Sequence, residues 1–402
     1  MATLHPFRAL RPHPHVVEAV ASVPYDVINT AEARALAQGN PLSFLHVIRP
    51  EIDVPAGTDE HADVVYAKGA ENLKAFAASD HFLEEDAPSL YVYRLVMDGR
   101  AQTGVFGCVA VADYDADVIL KHEKTRPDKE DDRTRHLLTQ QAHAEPVMLT
   151  FRDDKTIADL ISNTVATAAL YDFTASDGVQ HTVWRVAEPG IWVQAFADIP
   201  AIYVADGHHR CKAASRAAEA YREQGHTSDE VGYFPAVLFP MGDMAILAYN
   251  RIVKRLPEGG AAFLQQLEAR TTVTPTDQPS PETPGTIGVL VDRQWYRVVL
   301  PRATSNRVVD TLDVARLGEH ILEPLLGITN PRTDPNIGFV GGIRGIGELE
   351  RLVEAGEAEL AIAMYPTQIE ELLDVSDAGE LMPPKSTWFE PKLRSGLLVH
   401  RF

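Results

Sequence analysis

Asp206-Gly207-His208-His209-Arg210 lies between an apolar run and an alanine-rich one, and its residue types suit the binding of a small anion. A helix starting here presents unpaired backbone N–H groups and the positive end of its dipole, so phosphate is the natural ligand. Gly207 lets a ligand approach the backbone, while His208, His209 and Arg210 add side-chain donors. The competing reading makes Asp206 a plain N-cap followed by incidental polar residues. Metal binding fits less well, because adjacent histidines do not share a helix face and zinc sites favour i,i+4 pairs.

A second cluster runs from Lys121 to Arg133 and contains His122-Glu123-Lys124-Thr125-Arg126. A zinc-protease His-Glu-x-x-His motif would need histidine where Arg126 stands, so that chemistry is excluded. Glu123, among Lys124, Arg126, Lys129 and Arg133, has the surroundings of a general base beside an anion site, since nearby cations keep it ionised. A solvated, ion-paired loop or helix face is the alternative.

The third cluster is Met382-Pro383-Pro384-Lys385-Ser386-Thr387, continuing to Lys392 and Arg394. Lys385-Ser386 resembles the end of a P-loop, but Pro384 replaces the second glycine and removes a backbone donor, so it is not a Walker A motif. Lys385, Ser386, Thr387 and Lys392 remain an anion-contacting strip, or else a proline-stiffened loop packed by Trp388 and Phe389. The glycine-rich segment 341–347 lacks dinucleotide-fingerprint spacing. Tyr25-Asp26 and His46–Arg49 are either site-lining or structural.

These residues must be positioned by a framework with recognisable parts. Residues 90–97 and 102–111 read as strands joined at Asp98-Gly99, and 286–300, interrupted at 292–294, as a second hairpin. A short strand is expected at 146–151, and 121–135 reads as a charge-dense polar stretch. The run 201–205 reads as a buried strand, Asp206 as its helix N-cap, and 211–224 as a helix that Gly225 stops. Ala213, Ala214, Ala217 and Ala218 form a small-residue flank that lets this helix lie close to a sheet. Residues 271–285 read as a loop with at most a short strand at its start, 359–365 as a strand and 366–373 as the opening of a helix. Hairpins mixed with strand-helix units predict an α+β fold with mixed sheets rather than a doubly wound one.

With 402 residues, 45% hydrophobic and 23% charged, the chain has the composition of a globular protein large enough for two or three domains. A formal net charge of -20 repels polyanions and argues against nucleic acid as a partner. No apolar stretch approaches the roughly 18 residues of a membrane span, and no cationic segment precedes an apolar run at the start. Two cysteines, Cys108 and Cys211, are too few and too far apart for a disulfide framework or structural zinc. A cytoplasmic protein without membrane partners is the expectation.

Taken together, His5-Pro6-Phe7-Arg8-Ala9, Val23-Pro24-Tyr25-Asp26-Val27, His122-Glu123-Lys124-Thr125, Asp206-Gly207-His208-His209-Arg210 and Met382-Pro383-Pro384-Lys385-Ser386-Thr387 resemble the prokaryotic domain-of-unknown-function family 1015. That family is similar in turn to the free serine kinases and the ParB/sulfiredoxin fold. The resemblance covers nearly the whole chain. It implies an N-terminal α/β region at 1–118, a ParB/serine-kinase-like phosphate-binding core at 119–255, and a C-terminal α/β region at 256–402 packed on it.

The same resemblance implies a phosphotransferase working between ATP or ADP and a small hydroxyl metabolite, free serine or phosphoserine, in either direction. Glu123, Asp206, His208 and His209 are then the catalytic candidates, and Gly207, Arg210, Lys385, Ser386, Thr387 and Lys392 the phosphate contacts. His122, Arg126, Arg133, Tyr25 and Asp26 are accessory candidates. Mg²⁺ would accompany the nucleotide and Asp206 would hold it, since Mg²⁺ takes one or two carboxylates plus phosphate oxygens; zinc, haem and NAD are not expected. A ParB-like nucleotide-binding switch or adaptor without turnover, and a phosphoserine phosphatase, are the alternatives. The oligomeric state stays open.

Overall fold

Asp98 and Gly99 both adopt positive φ, 51° and 78°, and join Tyr91–Met97 to Arg100–Ala110 so that Met97 pairs with Arg100. This turn geometry matches the twist of the flanking strands, which is why Asp-Gly is favoured there. Asp292 and Arg293, at 49° and 64°, do the same between Thr286–Val291 and Gln294–Val299. Both expected hairpins are therefore present.

The computed structural model describes residues 2–402, and the chain divides into two compact units. One comprises residues 2–121, Thr125–Met244 and Pro391–Phe402; the other comprises His122–Lys124 and Ala245–Glu390. Sheets of both pairing senses together with many helices make the fold α+β.

The first unit is built on a nine-stranded sheet. Its strand path is Ile119–Leu120, Ile202–Asp206, Val147–Phe151, Tyr233–Pro240, Arg100–Ala110, Tyr91–Met97, Gln180–Arg185 and Tyr171–Thr174, with Leu4–His5 pairing onto Arg100–Ala110. Ile202–Asp206 runs parallel to Ile119–Leu120 and antiparallel to Val147–Phe151, which in turn runs parallel to Tyr233–Pro240. The helix His208–Glu223 buries Ala213, Ala214, Ala217 and Ala218 almost completely. Ala214 and Ala218 join Leu149, Val204 and Phe234 in the main core. Small side chains on this face allow the close approach that the alanine spacing predicted.

A four-stranded sheet in the same unit has the order Phe82–Glu84, Ala9–Pro12, Val399–Arg401, Ala142–His143, so Val399–Arg401 is held between a strand near the start of the chain and one from residues 142–143. Cys108 and Cys211 are both buried and free.

The stretch 121–135, expected as polar and charge-dense, contains most of the helix Pro127–Gln140. Pro127 at the first helical position, Asp128 and Glu130 in the first turn, and Gln141 at φ 50° just past the end are the local reasons. Lacking a continuous apolar stripe, the segment has little periodicity to read.

In the second unit a six-stranded antiparallel sheet has the order Val273–Pro275, Gln294–Val299, Thr286–Val291, Leu360–Met364, Tyr249–Val253, Ile337–Gly341. Leu349 and Leu352 of the helix Gly345–Glu354 pack against Leu290, Ala361 and Ala363. The helix expected from 366 begins at Ile369, where Gln368 and Glu371 form a capping box; the residue before Pro366 is pushed toward extended backbone. Among the described residues no helix is long and apolar enough to cross a membrane.

Candidate functional site

Between Val204 and Asp206 the pairing with Val147–Phe151 shifts register. Such a bulge re-aims the side chain that follows it. Asp206 accordingly ends the strand, and Gly207, at φ 100°, occupies the N-cap of a 16-residue helix with no side-chain cap. The expected capping role of Asp206 is thus overturned: the bulge turns its carboxylate to cations instead. The N-cap glycine offers no side-chain cap, so the positive end of the helix dipole is not offset by an N-cap side chain.

Asp206 Oδ2 accepts from the Lys392 ammonium at 3.2 Å and lies 3.6 Å from Arg210. Burial alone would push this carboxyl up, but Lys392, then Arg210, hold it well below the usual carboxylate range. Both contacts fall on Oδ2. The side chain retains 28% exposure.

Arg210 is 9% exposed and donates through Nη1 to the Pro146 carbonyl. Burial disfavours its charge, yet Asp26, Asp206 and Glu145 together raise its pKa above that of a free guanidinium. A Cβ on Gly207 would meet Arg210 Nε at 3.0 Å, so glycine is required both for the backbone conformation and for the arginine's approach. His208 is buried. His209 Nε2 accepts the backbone N–H of Arg126 at 3.2 Å, placing its ring proton on Nδ1.

Of the accessory residues in this unit, Tyr25, Asp26 and Arg133 gather near Arg210. The Arg133 guanidinium lies 4.1 Å from the Tyr25 ring centroid and donates to Asp132 at 2.8 Å. The Tyr25 N–H donates to Glu145 Oε1 at 3.1 Å, and Arg49 donates to the Tyr25 carbonyl at 3.0 Å. Burial, then Asp26, pushes the Tyr25 phenol up, so it stays protonated. Exposed Arg126 spends its fork on Asp128, at 3.1 and 2.7 Å. One member went unrecognised in the sequence. Glu145 is a buried carboxylate just before an apolar strand, and no motif marked it.

The other sequence candidates belong to the second unit. There the Met382 N–H donates to the His122 carbonyl at 2.8 Å, which brings His122-Glu123 to the start of the strip that holds Lys385. Lys385 is exposed at φ 59°, its ammonium 5.5 Å from the Tyr249 ring, while Arg251 donates to its carbonyl at 2.9 Å. Ser386 is buried and donates its hydroxyl to the Pro383 carbonyl at 2.7 Å; Thr387 follows it, half-buried.

The family described as "Protein of unknown function (DUF1015)" matches residues 4–315. No curated protein matches the chain. Among solved structures, a conserved hypothetical protein from Pyrococcus furiosus is 13% identical, with a TM-score of 0.37, over 73% of this chain and 95% of its own. A free serine kinase variant in complex with AMP is 11% identical, with a TM-score of 0.39, over 73% of this chain and 91% of its own. SbnI with a C-terminal truncation, from Staphylococcus aureus, is 13% identical, with a TM-score of 0.38, over 73% and 87%. These scores mark distant likeness and nothing more.

Proposed function

The chain belongs to the family described as "Protein of unknown function (DUF1015)", and we propose that this member is a phosphotransferase moving a phosphoryl group between a nucleotide and a small hydroxyl metabolite, free serine or phosphoserine. One observation carries the reading: a helix start without a side-chain cap stands beside an arginine, a lysine and a partly exposed carboxylate.

In this proposal residues 119–255 supply the phosphate-binding core. The N-terminal N–H groups of His208–Glu223 and the Arg210 guanidinium receive phosphate oxygens, and Lys392 adds positive charge through Asp206. The acceptor oxygen attacks phosphorus in line, the bond from phosphorus to the nucleotide's bridging oxygen breaks, and the hydroxyl proton passes to a carboxylate. Glu123 is the sequence candidate for that base. Such a transfer needs positioned reactants and surrounding cations rather than covalent help.

The Asp206 carboxylate would supply one ligand of Mg²⁺, which usually takes one or two carboxylates together with phosphate oxygens. When bound, the ion would neutralise phosphate charge. The Oδ2 contacts to Lys392 and Arg210 would keep the carboxylate ionised and fixed in orientation.

The test is to incubate the protein with Mg²⁺ and either serine with ATP or phosphoserine with ADP, following both mixtures by phosphorus NMR. Appearance of the exchanged pair supports the proposal. Phosphate release without ADP points to a phosphatase, and nucleotide binding without transfer points to a switch. No transfer from folded protein in either mixture sinks the phosphotransferase reading. Glu123→Gln should bind nucleotide but lose transfer; full activity would remove Glu123 from the mechanism.

A further inference from the structure

Behind Arg210 lies a cavity of about 30 Å³, lined among others by Arg133, His143, Glu145, Arg210 and Ala213. Three of these residues bring a buried nitrogen without a hydrogen-bond partner: Arg133 Nη1, Arg210 Nε and His143 Nε2. Glu145 Oε2 is 3.8 Å from Arg133 Nη1, too far for a direct hydrogen bond. Unpartnered buried polar atoms are rare in folded proteins, and several around one cavity point to a shared partner.

We propose that this cavity binds one resident water, held by Arg133, Arg210, His143 and Glu145, and that through it Glu145 positions Arg210. The donor and acceptor count matches water. Arg133 Nη1–H and Arg210 Nε–H donate to its two lone pairs, and its two protons go to Glu145 Oε2 and His143 Nε2. His143 stays neutral and able to accept, because burial and then His400 keep its pKa well below the ordinary value. The volume suits a single water and excludes a nucleotide phosphate. A monatomic anion would meet the same arginines but also the Glu145 carboxylate, whose Oε1 is already engaged as an acceptor by the Tyr25 N–H at 3.1 Å and by the Ser395 hydroxyl at 3.4 Å.

The water site stands on the geometry alone, while the positioning role rests on Arg210 as the phosphate contact. Of the Arg210 fork, Nη1 is tied to Pro146 and Nη2 faces Asp206. A water on Nε therefore fixes the remaining corner of the guanidinium plane. Glu145 acts through that water, so it is a positioning residue.

A high-resolution crystal structure of the full chain, soaked in bromide, tests the site. Density for one oxygen within hydrogen-bond distance of the four groups, without anomalous signal, is expected. An anomalous bromide peak, or no density, overturns the water. Calorimetry with Mg²⁺ and ADP tests the positioning role. Glu145→Leu should weaken ADP binding about tenfold, the scale of one charge-assisted hydrogen bond, and Glu145→Gln should restore most of it. Ala213→Val, which fills the cavity without changing any charge, should weaken binding in the same direction, and guards against a Glu145→Leu protein that does not fold. Wild-type affinity in a folded Glu145→Leu or Ala213→Val protein overturns the positioning role. If the wild type binds no ADP, the positioning role and the phosphate reading both fall, while the crystal density still decides the water.

Discussion

The Lys392 ammonium donates to the Asp206 carboxylate at 3.2 Å across 186 residues of sequence. One partner ends a strand in the middle of the chain, the other lies in the C-terminal segment that returns to the same unit. At 14% and 28% exposure they form a half-buried pair, in which desolvation and attraction are both substantial.

Replacing Lys392 by Met should therefore cost about 1–2 kcal/mol at neutral pH, measured by denaturant unfolding. The sign with pH follows from Asp206. Its folded pKa is depressed, so the pair's contribution is fully present above the unfolded carboxylate value of about 4 and is lost as pH falls through the folded value. The gap between wild type and Lys392→Met should narrow in acid. A gap that does not depend on pH would mean that Lys392 acts by packing alone.

Gly207→Ala should destabilise by about 1–2 kcal/mol, the cost of a left-handed backbone for an L-residue. The added Cβ also presses on Arg210, so under the proposed phosphate-binding role of Arg210 affinity for Mg²⁺-ADP should drop in parallel. Unchanged unfolding and unchanged affinity would show that φ at 207 relaxes freely.

Acid should weaken the fold well before the carboxylates titrate. Burial, then Arg133, lowers the His136 pKa to about 3, and burial, then Arg394, lowers His181 to about 3. These bases are neutral when folded, so the unfolded chain takes up protons first as pH drops below about 6.5, and stability declines from there. Each contributes a slope of up to about 1.4 kcal/mol per pH unit. Denaturation midpoints measured between neutral and mildly acidic pH check this; a flat profile there would contradict the buried neutral state. Tyr93→Phe should add to the loss, because the Tyr93 hydroxyl lies 2.8 Å from His181 Nδ1 in a fully buried pair. The cost of stranding that nitrogen is about 1–3 kcal/mol.

Ala218→Leu should cost about 1–3 kcal/mol through overpacking, since Ala218 is fully buried in the core beneath its helix. Thermal unfolding reads this directly. A melting temperature equal to wild type would show slack on that face.

The sequence by itself determined what depends on local backbone chemistry. Asp98-Gly99 and the break at 292–294 marked hairpin turns because both central residues must take positive φ. The run 201–205, the glycine at 207 and the alanine flank marked a strand, a turn and a closely packed helix for the same kind of reason. Asp206–Arg210 was recognisable as a helix start because donors, glycine and dipole are all set within one turn.

Only the tertiary structure decided which distant groups face that turn. Whether Asp206 caps its helix or pairs with Lys392 depends on a bulge against Val147–Phe151, hence on strand order, which no short window encodes. Glu145 carries no motif, and its place behind Arg133 and Arg210 arises from packing a helix, a strand and the Tyr25 loop together. The energy of a buried charge is set by what surrounds it in space. For Asp206 those surroundings come from three widely separated stretches of chain: Lys392, Arg210 and the strand Val147–Phe151.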